Sequence, residues 1–253
     1  MQKAESKTVD TASFVAARRK VLGSDRARSG IGTLSEKTLH AILKNYYEPD
    51  EAKQEIPIEG YVADICTGQE IIEIQTGQFN RMREKLKAFL PEHKVTIVYP
   101  IPCQKWILWI DEETGEISER RKSPKRGSAY DIFPELYRIK FLLKEPNLHI
   151  RAALIDMEEY KLLNGWGKHR KNNASRYDRI PLELVEEVEL GDREDYRRFL
   201  PEELPDSFTS KDLAKSAHIP AKRASLVLNL LLYMDVVERV GRQGRSYLYE
   251  KKK

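Results

Sequence analysis

The chain has 253 residues, of which 40% are hydrophobic and 33% are charged, and its net charge is +4. This composition predicts a globular protein with a highly charged surface, and its two cysteines exclude a disulfide framework and a cysteine zinc site. No apolar run approaches the roughly 18 residues of a membrane span, and the N-terminus lacks the apolar segment of a signal peptide. We therefore expect a cytoplasmic protein without a membrane partner.

Residues 1–32 form a basic N-terminal lead-in with a short helical pattern at 12–22. It predicts either an arm that touches a phosphate backbone or a solvated lead-in helix. A second helix is predicted over 34–47, because apolar residues recur there at helical spacing. On this helix Glu36 and His40 lie one turn apart and share a face. We predict a surface position for His40 rather than a ligand role.

Two acidic residues stand in consecutive apolar strand patterns. Asp64 lies in the run 61–65 and Glu73 in the run 71–75, and Gly68 between them allows a hairpin turn. If the strands pair across that turn, the two carboxylates lie close together. Paired carboxylates are hard oxygen ligands, so the pattern predicts a site for Mg²⁺.

The order of these elements resembles the PD-(D/E)XK nuclease superfamily. A helix precedes three strands, and a helix at 79–90 and a strand at 94–101 follow them. The resemblance implies an α/β fold with a restriction-endonuclease-like core (helix, three-strand meander, helix, strand) in a domain over 33–200. It also implies catalysis with Mg²⁺ or Mn²⁺.

The resemblance assigns the site residue by residue. Asp64 and Glu73 would hold the metal, with the Ile74 carbonyl as a candidate third ligand and Glu36 as an additional acid. Gln75 stands where the motif has lysine, and it would position the attacking water. The motif proline before Asp64 is also replaced, by an alanine.

Basic residues surround this motif. On the predicted helix at 79–90, Arg81 and Lys85 lie one turn apart and either substitute for the missing lysine, follow a phosphate backbone or are solvated. The segment 120–126 is predicted as a charged loop, in which Arg120 and Arg121 face phosphate or remain disordered. Further basic residues follow beside Trp166 in the loop 164–171, namely Lys168 and Arg170. This loop either stacks on a base or buries its tryptophan.

The other elements are predicted from local pattern alone. Strands are expected at 94–99 and 105–110, separated by a break at Pro100–Pro102, and a return hairpin strand is expected near 116–119. A helix over 132–143 and a strand over 148–157 follow, and this strand is expected to extend the same sheet.

Residues 206–253 resemble a winged helix-turn-helix domain: a capped helix, a tight turn, a second helix at 221–234 and a hairpin. The segment contains ten basic and five acidic residues. Lys222 and Arg223 begin the would-be recognition helix, and Arg242 and Arg245 lie in the wing, so DNA is the implied partner. A protein-docking role is the alternative.

Together the two modules predict a metal-dependent DNA endonuclease with a separate DNA-binding domain. Cleavage of both strands requires two active sites, which leads us to expect a homodimer. Two alternatives remain open: a catalytically inactive nuclease-fold regulator that binds DNA, and a protein-interaction scaffold.

Overall fold

The computed structural model describes residues 9–26, 38–68, 70–164 and 174–252. Within these ranges the chain forms a seven-stranded mixed sheet with helices on both faces, followed by a small three-stranded sheet. The predicted α/β class is therefore confirmed. None of the helices in these ranges is long and apolar enough to cross a membrane.

The bounds of the elements are as follows. The helices are α1 (Thr11–Arg26), α2 (Thr38–Tyr47), α3 (Arg83–Phe89), α4 (Phe133–Arg138), α5 (Arg193–Arg197), α6 (Ser210–Ser216) and α7 (Ala221–Tyr233). The strands are β1 (Gln54–Ile58), β2 (Tyr61–Cys66), β3 (Glu70–Ile74), β4 (Lys94–Asp111), β5 (Arg121–Arg126), β6 (Leu148–Leu163), β7 (Ser175–Leu190), β8 (Ser207–Phe208), β9 (Val237–Gln243) and β10 (Ser246–Lys251). Turns of 3-10 helix occupy Glu51–Lys53, Phe79–Met82, Ala129–Ile132 and Lys140–Leu142.

The large sheet has the order β1-β2-β3-β4-β6-β7, and β5 pairs with β4. β1, β2 and β3 form an antiparallel meander, β4 lies parallel to β3, and β6 lies parallel to β4. β7 runs antiparallel to β6. The element order from α2 to β4 agrees with the order that the sequence predicts.

Each face of this sheet is covered by a different set of apolar residues. On one face Ile71 packs in a cluster with Leu86 and Phe89 of α3. On the other face Ile72 and Ile74 pack in a cluster with residues of α1 and α2. A strand buried on both faces reads as a nearly continuous apolar run, which explains the Ile-rich sequence of β3.

The predicted break at Pro100–Pro102 is wrong, because β4 continues through both prolines with an irregularity only after Pro102. The Val95 nitrogen donates to the Asn147 carbonyl on the β6 side (2.8 Å). Since N–H groups alternate sides along a strand, the two proline nitrogens face the opposite side. There β3 has already ended at Ile74, so no ladder hydrogen bond is lost.

The segment 120–126 is also not a loop, since residues 121–126 form β5 and pair antiparallel with β4. Ser123 alone is buried in β5, so no apolar alternation indicates a strand. The Gln104 side chain donates to the Ser123 carbonyl (2.8 Å) and joins the two strands. The expected return near 116–119 is a single bridge between Ile110 and Ile117.

The predicted helix at 132–143 is shorter in the structure, because α4 ends at Arg138 and Ile139 leaves helical geometry before one 3-10 turn. The strand predicted at 148–157 is confirmed and extends to Leu163 as β6. Its partner β7 was not predicted as a strand. Its carboxylates and bulges interrupt the alternation by which strands are recognised.

Residues 207–251 form a C-terminal module of two helices and a hairpin, with β8 completing its sheet. The predicted capped helix is α6, and of the two candidate caps, Thr209 and Ser210, it is Thr209 that forms a capping box with Asp212. Leu228 and Leu231 of α7 are buried in the same cluster as Leu136 of α4 and the α3 face of the large sheet. The module is therefore packed against the rest of the protein.

Candidate active site and nucleic-acid interface

Asp64 and Glu73 meet where the pairing of β2 with β3 ends. The ladder pairs Ile65 with Ile72 and Cys66 with Ile71. At the next position the carboxylates bind backbone instead. The Asp64 nitrogen donates to Glu73 Oε1 (3.3 Å), and the Ile74 nitrogen donates to Asp64 Oδ2 (2.8 Å). Each acid is thus held by the strand that carries the other.

Cationic or protonatable groups approach both acids from the flanking helices. Lys85 of α3 places Nζ 2.6 Å from Glu73 Oε2 and also donates to the Val62 carbonyl at 2.6 Å. His40 of α2 places Nε2 3.1 Å from Asp64 Oδ2. The predicted surface role of His40 is therefore wrong. The resemblance implies that the face shared by Glu36 and His40 looks toward the metal site, and His40 does lie beside Asp64.

The two acids differ in their protonation. Burial raises the pKa of Glu73 to about 7, and the charge of Asp64 adds to this effect while Lys85 opposes it. For Asp64, burial also acts upward, but the hydrogen bond and charge of His40 and the Ile74 N–H outweigh it and leave the pKa lowered. The site therefore holds Asp64, whose ionised form is favoured, beside Glu73, whose carboxyl group titrates near neutral pH.

Gln75 does not reach the carboxylates through its amide nitrogen, which donates to the Gly77 carbonyl (2.5 Å). Its backbone nitrogen donates to the Val98 carbonyl (2.9 Å) and continues the pairing of β3 with β4. Ile74 follows Glu73 on β3 and donates its backbone nitrogen to Asp64. Glu36 lies outside the described residues.

The remaining basic residues near the motif have different surroundings. Arg81 is exposed in the 3-10 turn that precedes α3. The Arg120 guanidinium lies 4.3 Å from the centroid of the Trp106 ring and pairs with Glu158 (3.2 Å). Arg121 is exposed on β5. The other two predicted nucleic-acid contacts, Lys168 and Arg170, lie outside the described residues.

Of the residues of the C-terminal module that were predicted to contact DNA, some are exposed to solvent and one is bound to the rest of the protein. Lys222 and Arg245 are exposed. Arg223 instead donates to the Tyr130 carbonyl and to Asp131 Oδ1, both at 2.7 Å, so it joins α7 to the turn before α4.

The hairpin of the module carries an exposed arrangement of arginine and tyrosine. Arg242 and Arg239 place their guanidinium carbons 4.8 and 4.1 Å from the centroid of the Tyr247 ring. The Arg242 Nη2 also donates to the Tyr247 hydroxyl (3.2 Å). These contacts set two cations and an aromatic ring on one exposed strand pair.

A group of basic residues on β4, β6 and β7 was missed by the sequence analysis. Lys105, Lys161 and Arg176 all approach the buried carboxylate of Glu159. They come from three separate stretches of sequence, so only strand pairing brings them together. The signal available in the sequence is that Arg176 and Arg179 continue the basic residues of the loop at 164–171.

The site offers a metal ion two carboxylate ligands rather than a complete set of protein ligands. In the described part of the chain, no three His, Cys, Asp or Glu side chains are grouped so that they could hold a metal ion. Mg²⁺ is commonly bound through one or two carboxylates and keeps several waters. The hard oxygens of Asp64 and Glu73 fit such an ion, although burial and the charge of Asp64 raise the pKa of Glu73, so that a metal ion would have to displace its proton.

The region of the chain that matches other proteins includes this site. A family model described as "Domain of unknown function (DUF8091)" matches residues 37–191, which include Asp64, Glu73 and Lys85. A protein of Treponema pallidum (strain Nichols), described as an uncharacterized protein, is 31% identical over 222 residues, which are 87% of this chain and 87% of that protein. No solved structure matches the chain significantly.

Proposed function

For this chain, which belongs to the family described as a domain of unknown function (DUF8091), we propose the function of a metal-dependent DNA endonuclease. The proposal includes a restriction-endonuclease-like core of the PD-(D/E)XK type and a C-terminal winged helix-turn-helix that binds DNA. The reaction would be hydrolysis of phosphodiester bonds at Asp64 and Glu73.

One observation carries the proposal: two carboxylates are held together on adjacent strands with a lysine on one of them. Asp64 and Glu73 are linked through backbone N–H groups, and Lys85 lies 2.6 Å from Glu73. The helix, antiparallel meander, helix and parallel strand around them support a nuclease-like core. Burying two adjacent acids is costly, and acids with a raised pKa at such positions cluster at functional sites.

Asp64, Glu73 and the Ile74 carbonyl would hold Mg²⁺ or Mn²⁺. When bound, the ion supplies Lewis acidity and a better nucleophile at neutral pH. Asp64 and Glu73 keep their oxygens in place through the crossed backbone hydrogen bonds. Those bonds make the acids rigid, and rigid placement is what a catalytic constellation requires.

Lys85 is the residue we assign to the role of the motif lysine. It comes from α3 rather than from β3, yet its ammonium group reaches Glu73. A cation there would orient the attacking water and stabilise the charge that develops on the phosphoryl oxygens. The amide nitrogen of Gln75 is engaged with Gly77, which favours Lys85 over Gln75 for this role.

A cleavage assay with Mg²⁺ or Mn²⁺ on linear, supercoiled, single-stranded and branched DNA tests the proposal. We expect Asp64→Ala and Glu73→Ala to abolish cleavage while DNA binding is retained. The matched control is Glu84→Gln, which removes an exposed acid of α3. Absence of cleavage on every substrate, together with no metal binding in calorimetry that depends on Asp64, would refute the proposal that the protein is an endonuclease.

A DNA-binding regulator without turnover is the second candidate. The observation that favours it is the exposed hairpin, where Arg239 and Arg242 flank Tyr247 while the motif lysine is absent from β3. Duplex binding that is lost in Arg242→Ala, in a protein that cleaves no DNA, would select this function.

A further inference from the structure

A second group of charged residues lies away from the carboxylate pair, around Glu159 of β6. The Glu159 side chain is only 5% exposed. Its oxygens lie 3.0 Å from Lys105 Nζ, 3.7 Å from Lys161 Nζ and 3.8 Å from Arg176 Nε. Three cations from three strands therefore share one buried carboxylate.

Arg179 adds a fourth cation. It stands directly opposite Glu159 in the pairing of β6 with β7, and it is only 7% exposed. Within the described ranges its guanidinium makes no hydrogen bond and no ion pair, although its backbone nitrogen donates to Asp178 (2.7 Å). Burial lowers the pKa of Arg179, and the nearby charge of Arg176 lowers it further.

The charges in this group do not balance. Four basic residues surround Glu159, which forms ion pairs with three of them, and the neighbouring acid Asp178 already accepts a hydrogen bond from the Thr38 hydroxyl. A buried guanidinium is costly unless its N–H groups are paired. An oxyanion would supply the missing acceptors, and the planar fork of an arginine matches phosphate oxygens.

We propose that Lys105, Lys161, Arg176 and Arg179 form a phosphate-binding site for the backbone of DNA. Lys105 is seven residues beyond Val98, the β4 residue beside Ile74. At about 3.3 Å per residue, the site lies on the order of 20 Å from the carboxylate pair along the strand. It would hold a phosphate remote from the bond that is cleaved.

The choice of DNA as the polyanion rests on the proposed function, whereas the anion site rests on the unbalanced cations alone. The role is one of binding and positioning, because none of the four residues reaches Asp64 or Glu73. Thermal unfolding and DNA affinity are therefore the readouts, and neither depends on cleavage. A protein that fails every cleavage assay can still pass both.

The first measurement is thermal unfolding in inorganic phosphate and in chloride at equal ionic strength. For the wild type we expect phosphate to raise Tm by about 3 °C at ten times its dissociation constant. Arg179→Met should lose this rise. Lys53→Met, which removes an equal charge from an exposed side chain on another part of the chain, should keep it.

The second measurement is the affinity for a short DNA duplex as a function of salt concentration. Each lost phosphate contact reduces the slope of log affinity against log salt by about 0.9. We expect that reduction in Arg179→Met and not in Lys53→Met. Asp64→Ala should retain the wild-type slope, which separates this site from the catalytic pair.

Two outcomes would overturn the inference. A phosphate effect no larger than that of chloride, with an unchanged slope in Arg179→Met, would exclude an anion site. A phosphate effect that is lost in Arg179→Met without a change in slope would exclude DNA as its ligand. If Arg179→Met does not fold, Lys161→Met carries the same test, because that side chain is 25% exposed and less important for packing.

Discussion

At the scale of single residues, the central feature is an acid that titrates where a metal ion would bind. Glu73 is buried next to the charge of Asp64, and its pKa is raised to about 7 although Lys85 is in contact with it. A carboxyl group must lose its proton before it can bind a divalent cation. Binding of a cation at this pair should therefore depend on pH.

We expect the affinity for Mn²⁺ to rise by up to tenfold per pH unit below about pH 7 and to level off above it. The sign follows from the raised pKa: below it Glu73 carries a proton that the metal must displace, and above it the carboxylate is free. Isothermal titration calorimetry in buffers of different ionisation enthalpy measures both affinity and proton release.

Two variants test whether Glu73 causes this pH dependence. Glu73→Gln should bind more weakly and lose the pH dependence, whereas Glu84→Gln should behave as the wild type. A wild-type affinity that stays constant between about pH 6 and pH 8 would contradict the assignment of Glu73 as a ligand.

Lys85 yields a separate prediction about chemistry. Lys85→Met should reduce cleavage by about 10²- to 10³-fold while duplex affinity changes little, since the cation acts on charge that develops during the reaction. Lys87→Met is the matched control, because that lysine of the same helix pairs only with the exposed Glu84. Cleavage by Lys85→Met at the wild-type rate would show that another group supplies the cation.

At the scale of elements, α7 shows how a residue predicted to read DNA can serve to dock a helix. Arg223 lies at the start of α7, where base contacts often originate, but it is bound to the Tyr130 carbonyl and to Asp131. The exposed neighbour Lys222 and the hairpin residues remain available to a ligand. A docking role of Arg223 can be distinguished from direct DNA contact by substituting its partner Asp131.

If Arg223 docks α7, Arg223→Ala and Asp131→Ala should each lower the free energy of unfolding by about 1 kcal/mol. They should also change DNA affinity in the same direction, because both weaken the contact between α7 and the turn before α4. Urea unfolding and fluorescence anisotropy measure the two quantities. A loss of affinity confined to Arg223→Ala would show that this residue contacts DNA directly.

At the scale of the whole molecule, one apolar cluster joins the C-terminal module to the large sheet. Leu228 of α7 belongs to the same cluster as Leu136 of α4 and Phe89 of α3. A shared core couples the unfolding of the parts that build it. The module at 207–251 should therefore not unfold independently.

We expect a single thermal transition, with coincident curves from tryptophan fluorescence and far-ultraviolet circular dichroism. Leu228→Ala should lower the free energy of unfolding by about 2–5 kcal/mol and move both curves together. Lys222→Ala, an exposed position on the same helix, should leave Tm nearly unchanged. Two separated transitions would show that the module folds on its own.

Much of the fold could be predicted from local pattern. The α/β class, the hairpin that brings Asp64 near Glu73, and the helices and hairpin of the C-terminal module all follow from apolar periodicity and turn residues. β5 and β7 were missed because their partners, rather than their own composition, hold them in the sheet. The continuation of β4 through Pro100 depended on the end of β3, which no local pattern records.

By itself, therefore, the sequence determined which acids could meet, since a short turn leaves a hairpin few registers. Only the tertiary structure decided which basic side chains face them. Lys85 reaches Glu73 from a helix, His40 reaches Asp64 from another, and Arg223 is bound to Asp131. The physical reason is distance along the chain: strand pairing across a turn is a local property, whereas contacts between helices and a sheet depend on how the whole core packs.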